Sequence, residues 1–352
     1  MKDRGERRTE LPKAAVFCPL VFVVLNACAG HQQSAVDPAG PQSGKIAALW
    51  WFFTCLLGVI FVIVMLFTLV SLIRRHRGME QEPLELRHLP SEETERKLTR
   101  VVAGATIATV VILFVLLVLS VSTGKAISEL GNKQNGMVIE VTGNQWWWKV
   151  RYLHNQPGLV LDTANEIHIP VGRPVMIRGT SNDVIHSFWV PNLHGKRDLI
   201  PSRITTEWIQ ANSPGVYRGQ CAEFCGLQHA HMALWVVAEP KDKFDAWMQQ
   251  QLQPAVSATD PIEQRGQQVF MNHACVFCHT IRGTTAAGQV APDLTHFGSR
   301  RSIAAGTLPN TKGNLGGWIT DPQSIKPGNH MATIAVNSED LQPLLEYIES
   351  LK

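Results

Sequence analysis

Between Cys221 and Met232 the chain reads Cys-Ala-Glu-Phe-Cys-Gly-Leu-Gln-His-Ala-His-Met, a run that concentrates thiol, imidazole and thioether side chains. Two thiolates, an imidazole and a thioether suit copper that changes oxidation state, whereas a hard cation would call for carboxylates. A second run, Cys275-Val-Phe-Cys278-His279, has the pattern that attaches c-type haem: two thioethers tether the porphyrin and the adjacent histidine ligates iron. Electron transfer is the chemistry common to both. Read from residue types alone, Cys221 and Cys225 could equally form a disulfide, and cysteine–histidine sets often hold structural zinc. The thioether of Met232, a donor that zinc rarely takes, favours copper.

These residues must be carried by folded elements on the right side of a membrane. The seven cysteines fall in four unrelated settings, Cys18 and Cys28, Cys55, the 221–225 pair and the 275–278 pair, and form no disulfide framework. A net charge of +3 gives no argument for nucleic acid, and the 17% charged fraction lies below the roughly 25% of soluble domains. Arg4, Arg7, Arg8 and Lys13 precede an apolar run over 14–27, the layout of a secretory signal. Its end, Leu25-Asn26-Ala27-Cys28, resembles the lipobox of bacterial lipoproteins, which would make Cys28 the lipidated N-terminus of the mature protein; a plain signal, cleaved or not, is the alternative.

No charged residue occurs over 46–73 or over 101–123, and each run is long enough to cross a bilayer. The intervening segment 74–100 carries Arg74, Arg75, Arg77, Arg87, Arg96, Lys97 and Arg100, while 29–45 carries only Lys45. The basic loop is therefore expected in the cytoplasm and everything after residue 123 outside it. The exported part divides at a stretch over 241–261, rich in Lys, Asp, Gln, Ala and Pro, that reads as a linker. Before it, apolar runs at 137–142, 175–179, 184–190, 206–209 and 233–237 are separated by Pro, Gly and Asn, which predicts a β-sandwich or barrel. After it, Asp260-Pro261-Ile262-Glu263 reads as a helix start, and a final helix capped by Ser338 has Leu341, Leu344, Leu345, Ile348 and Leu351 on one face.

The copper run, with Trp146-Trp147-Trp148 upstream and the two spans, resembles the binuclear copper (CuA) subunit II of cytochrome c oxidase from about residue 45 to 240. The resemblance implies a cupredoxin-like Greek-key sandwich behind a two-helix transmembrane hairpin. It further implies that Cys221 and Cys225 bridge two copper ions, that His186 and Met232 complete one ion, and that His229 and the Glu223 carbonyl complete the other. Trp146 inherits the role of the aromatic residue that receives electrons, and the Glu223 side chain that of a magnesium ligand shared with subunit I. His168, His194 and His231 match no family position and are expected as hydrogen-bonded or surface residues. Glu95, before the second span, stands where relatives carry a glutamate at the mouth of a proton path; a solvated acid is the alternative reading.

From about 262 to 352 the chain resembles a small class I cytochrome c, an all-α domain. Cys275 and Cys278 are then the covalent attachment points, and His279 and Met331 the axial iron ligands. Met331 sits in Lys326-Pro327-Gly328-Asn329-His330-Met331, where His330 is the rival; Met271 lies too close to the attachment motif to reach across the ring. Pro292 is the proline whose carbonyl orients the proximal imidazole, and Gly266, Phe270 and Tyr347 match the contact between first and last helices. Together the two resemblances imply the electron-input subunit of a haem–copper oxidase in a bacterial inner membrane. It would receive electrons from an external donor such as a c-type cytochrome, pass them through haem c to copper, and hand them to subunit I, in company with other oxidase subunits and membrane lipid. A stand-alone exported copper or haem electron carrier is the alternative, and the two spans argue against it because a lipid anchor would suffice for tethering.

Overall fold

The computed structural model describes residues 33–78, 91–132, 136–153 and 160–352. Two long helices come first, Pro41–Gly78 and Glu92–Asn132, and the apolar runs 46–73 and 101–123 lie inside them. Trp50, Phe61, Phe67, Leu113 and Phe114 stand exposed along them, and such surface needs lipid or a partner to cover it. Ser91 opens the second helix, its Oγ accepting from the Thr94 amide at 3.4 Å. Glu92, Glu93 and Glu95 occupy the first turn, where negative charge is favoured by the helix dipole. Among the described residues, those of the helix pair within 44–135 form one compact unit, and those of 33–43 and 136–352 form another.

Over residues 136–240 the second unit has ten strands among the described residues: β1 (Met137–Asn144), β2 (Trp147–Leu153), β3 (Val160–Ala164), β4 (Glu166–Pro170), β5 (Val175–Ser181), β6 (His186–Trp189), β7 (Arg197–Leu199), β8 (Thr205–Ile209), β9 (Gly215–Cys221) and β10 (Ala233–Glu239). They make two five-stranded sheets, ordered β3-β2-β1-β5-β8 and β4-β10-β9-β6-β7. The β1–β5 and β4–β10 pairs are parallel and the other pairs antiparallel. This is the Greek-key sandwich expected. Alternation sends Ile139, Val141, Trp148, Val150, Tyr152, Val175 and Ile177 inward from one sheet, and Phe188, Leu234 and Val236 from the other. Each such burial contributes about 1.5–3 kcal/mol.

Strands β2, β3, β4 and β7 went unread in the sequence. In β4 every residue is buried, yet Glu166 and His168 disguise it as a polar segment. They tolerate burial because the His168 ring is bonded to Glu166 Oε1 and to Glu239 Oε2, both at 3.0 Å. Strand β6 is shorter than the expected 184–190 because the Val184 amide donates to Asp183 Oδ1 in a turn instead of joining a ladder.

The stretch 241–261 is not merely a linker. A helix covers Lys241–Leu252 with Phe244 and Met248 buried, and Trp247 stacks on the His168 ring at 4.0 Å and 8°. One apolar residue per turn on one face was enough, and the surrounding charges masked it. Beyond this helix the chain stays fixed: the Ala255 amide donates to Arg282 O at 2.9 Å, and His296 Nε2 lies 3.1 Å from Gln253 O.

Helices Pro261–Asn272, Lys312–Thr320 and Ser338–Ser350 build the C-terminal part. Asp260 caps the first, accepting from the Ile262 amide at 2.8 Å. Ser338 does not cap the last helix: it is the first helical residue, and extended Asn337 holds the cap position. The first and last helices cross at Gly266, where a Cβ would fall 1.9 Å from Pro343 O. Only a hydrogen fits there. Phe270 and Tyr347 pack edge to face beside the crossing at 6.2 Å.

Candidate functional site

Strand pairing brings together the residues expected to hold copper. Cys221 ends β9 and lies opposite Phe188 of β6, so His186, two residues along β6, shares the inward face with the thiol. The loop after Cys221 returns at Met232, whose carbonyl accepts from the Cys221 amide at 2.9 Å. Between these fixed ends Cys225 and His229 turn back toward Cys221. The two Sγ atoms are 3.7 Å apart, and both thiols are free. His186 Nδ1 lies 3.8 Å from Cys221 Sγ, His229 Nδ1 lies 3.6 Å from Cys225 Sγ, and Met232 Sδ lies 3.9 Å from Cys225 Sγ. The Glu223 carbonyl oxygen is 3.2 Å from Cys221 Sγ, while its side chain is half-buried.

Several residues that sequence reading passed over hold these donors in place. His186 Nε2 donates to Asp183 Oδ1 at 2.8 Å, which fixes the ring with Nδ1 turned toward the thiols. Gly143 makes room for that ring, since a Cβ there would lie 2.5 Å from His186 Cδ2. Burial raises the Asp183 carboxyl, but bonds from His186 and from the Gln145 and Val184 amides outweigh it and hold it low. Burial would lower His186, but its bonds to Cys221 and Asp183 prevail and raise it. The hydrogen bond from Cys225 holds Cys221 far below the ordinary thiol range.

Two thiols, two imidazoles, a thioether and a carbonyl converging in a largely buried pocket fit copper, whose soft donors these are. The other histidines find partners elsewhere. His231 bonds Gln228, His194 Nδ1 lies 3.3 Å from Gly195 O, and His168 sits between its two glutamates.

The haem residues surround a cavity of about 570 Å³. Cys275, Cys278 and His279 line it, as do Pro292, Leu294, Leu315, Trp318, Leu344, Ile348 and Met331. The His279 ring is fixed by its Nδ1, which donates to Pro292 O at 2.7 Å, and burial lowers its pKa, so the ring is neutral with Nε2 free to ligate. Met331 is positioned from its own loop: its amide donates to Asn329 Oδ1 at 2.8 Å, and its carbonyl accepts from Gln323. Met271 lies outside that lining and receives the Thr285 hydroxyl on its sulfur. An apolar cavity bordered by two thiols, an imidazole and a thioether fits a haem.

The same cavity reaches Trp146, Lys326 and His330. Trp146 is 6% exposed; its indole Nε1 donates to the Cys225 carbonyl at 2.9 Å, and its ring lies 6.0 Å from that of His330. Gln145 Nε2 donates to the same Cys225 carbonyl at 2.8 Å. Lys326 Nζ donates to Trp146 O at 2.8 Å and to Ala304 O at 3.0 Å, and burial lowers the Lys326 ammonium to about 7 against an opposing pull from Cys225. Glu95 is exposed on the first turn of its helix. Cys28 lies outside the described residues.

Comparison with known proteins places both halves of the exported part in known families. Residues 153–239 match the family "Cytochrome C oxidase subunit II, periplasmic domain" and residues 263–352 match "Cytochrome c". Cytochrome c oxidase subunit 2 of Alkalihalophilus pseudofirmus is 35% identical over 96% of this chain and 97% of its own length. The corresponding protein of Bacillus sp. strain PS3 is 34% identical over 73% of this chain and 78% of its own. Among solved structures, the periplasmic domain of cytochrome oxidase subunit II from Bradyrhizobium japonicum is 29% identical over 32% of this chain and 91% of its own, with a TM-score of 0.31. With a relative matched along nearly the whole length and a cytochrome c match after the copper loop, this chain belongs to the cytochrome c oxidase subunit II family, in the form that carries a C-terminal cytochrome c domain.

Proposed function

We propose that this chain is the electron-input subunit of its oxidase, taking electrons from an external donor at haem c and passing them through a binuclear copper centre to subunit I, where oxygen is reduced and protons are moved. Copper and haem, when bound, each supply a one-electron couple at a fixed place. The contribution of the chain is to hold the two at short range. Trp146 carries the reading: it borders the haem cavity and donates its indole proton to the carbonyl of copper-ligand residue Cys225 at 2.9 Å.

His279 and Met331 are assigned as axial ligands, Cys275 and Cys278 as thioether attachments, and the side chain of Glu223 as a magnesium ligand completed by subunit I. The arginine-rich loop between the two helices lies on the cytoplasmic side in this reading and both metal domains on the other, in a bacterial inner membrane. Fusion keeps donor and acceptor at high effective concentration, so the internal step is independent of protein concentration. The purified chain is expected to hold two coppers and one covalent haem, and mixing with a reduced c-type cytochrome to reduce haem before copper. Zinc in the thiolate site, or copper reduced ahead of haem, would overturn the assignment.

A further inference from the structure

The route above requires the haem domain to stay seated against Trp146, and the contact that seats it is unusual in its chemistry. Lys326 is 2% exposed, and its amine has no carboxylate partner among the described residues. Its two acceptors are backbone carbonyls, one from each domain: Trp146 O of the sandwich at 2.8 Å and Ala304 O of the haem domain at 3.0 Å. Removing the amine would leave Trp146 O buried without a donor among the described residues, whereas Ala304 O keeps the Thr307 hydroxyl at 2.7 Å, and the penalty at Trp146 O falls on the docked state alone.

The rest of the loop closes on the same spot. Gln228 of the copper loop donates to Pro327 O at 2.7 Å. Gly328 adopts φ +80°, which favours glycine, and a Cβ there would meet Leu227 Cδ1 at 3.0 Å. His330 then lies against Trp146 at 6.0 Å between ring centroids. Met331, the assigned iron ligand, is the next residue of this loop. One loop therefore both borders the haem cavity and covers the face of Trp146.

We propose that Lys326 is a positioning residue, a clamp that locks the methionine loop of the haem domain onto Trp146 and thereby closes the copper centre to soluble donors, so that electrons reach copper only through the attached haem. This rests on the electron route proposed above and adds to it the residue that enforces it.

The test uses the full chain within its oxidase complex and the variant Lys326→Met, which keeps length and loses the donor. The expected result is unchanged haem absorbance and copper content, faster amide exchange over both 145–148 and 327–331, and haem-to-copper transfer slowed at least tenfold. A soluble c-type cytochrome should also reduce copper directly in the variant. Lys326→Arg, which keeps donors, should recover much of the protection and rate. Unchanged exchange and rate in Lys326→Met overturn the clamp, as does a slowed rate with exchange unchanged, which would assign Lys326 to tuning a potential. If Lys326→Met fails to fold, Gly328→Ala disturbs the same contact from Leu227, and unaltered protection there overturns it equally. A wild-type complex in which reduced haem passes no electron to copper defeats the route instead, and exchange in the haem-loaded, copper-free chain then still reads the clamp alone.

Discussion

At the copper loop the donor atoms of Cys221, Cys225, His186, His229 and Met232 each stand within 3.9 Å of a neighbouring donor, whereas Cys275, Cys278, His279 and Met331 border a cavity of about 570 Å³. The first site sits at the end of a sandwich whose core is filled by its own side chains, with Trp148, Phe188 and Leu234 packed beneath it. The second lies inside the small C-terminal core, where Phe270, Leu315, Leu344 and Ile348 belong both to that core and to the cavity lining. A site whose donors are already gathered leaves its domain folded without the metal, and a bound ion then adds its own binding free energy. A cofactor that fills a core is part of the fold, because an unfilled apolar space forfeits its packing contacts.

That contrast can be broken by removing each cofactor in turn. The largest effect is expected from Cys275→Ala with Cys278→Ala: without attached haem, residues 262–352 should lose cooperative folding while the sandwich survives, read as loss of slow-exchanging amides in the C-terminal helices alone. Retained protection there would mean that the cavity collapses harmlessly. Next, Cys221→Ser should abolish copper binding yet leave the sandwich folded, with its strand amides still protected. Loss of the sandwich with the copper would erase the distinction between the two sites.

A smaller and more local effect is expected at the iron. Met331→Leu should keep haem attached and lower its reduction potential, since a thioether axial ligand raises it; an unchanged potential would move the sixth ligand to another residue. The smallest effect lies away from both sites, at Glu207, which is buried in the sandwich with neither carboxylate oxygen hydrogen-bonded. Burial raises its carboxyl from 4.5 to about 8. The folded state therefore keeps a proton that the unfolded state releases, so this contribution to stability is full below pH 4.5 and is lost as pH rises through 8. Between those limits it falls by about 1.4 kcal/mol per pH unit, and Glu207→Gln should flatten that slope in denaturant titrations. An unaltered slope would show that the acid is ionised and solvated.

Much of the site was legible because it is local. The thiols, His229 and Met232 share one loop, and the haem pentapeptide is contiguous, so residue type and spacing point to their chemistry, and the family resemblance supplies the full ligand set. His186 was reached through a family resemblance, since nothing in its neighbourhood separates it from the other histidines. The helix over Lys241–Leu252 was missed because Phe244, Trp247 and Met248 are spaced among charges, and β4 because its buried Glu166 and His168 look solvated until their mutual bonds are seen.

Sequence by itself determined the two apolar helices, the soft donor set, the haem attachment motif and the order of the domains, all properties of residue type and spacing along the chain. Only the tertiary structure decided that β6 lies beside β9 and so brings His186 to Cys221, that Asp183 and Gly143 orient and accommodate that ring, and that Lys326 joins the haem loop to Trp146. Each of these depends on groups far apart in sequence, and their meeting is fixed by strand pairing and close packing, which no local pattern records.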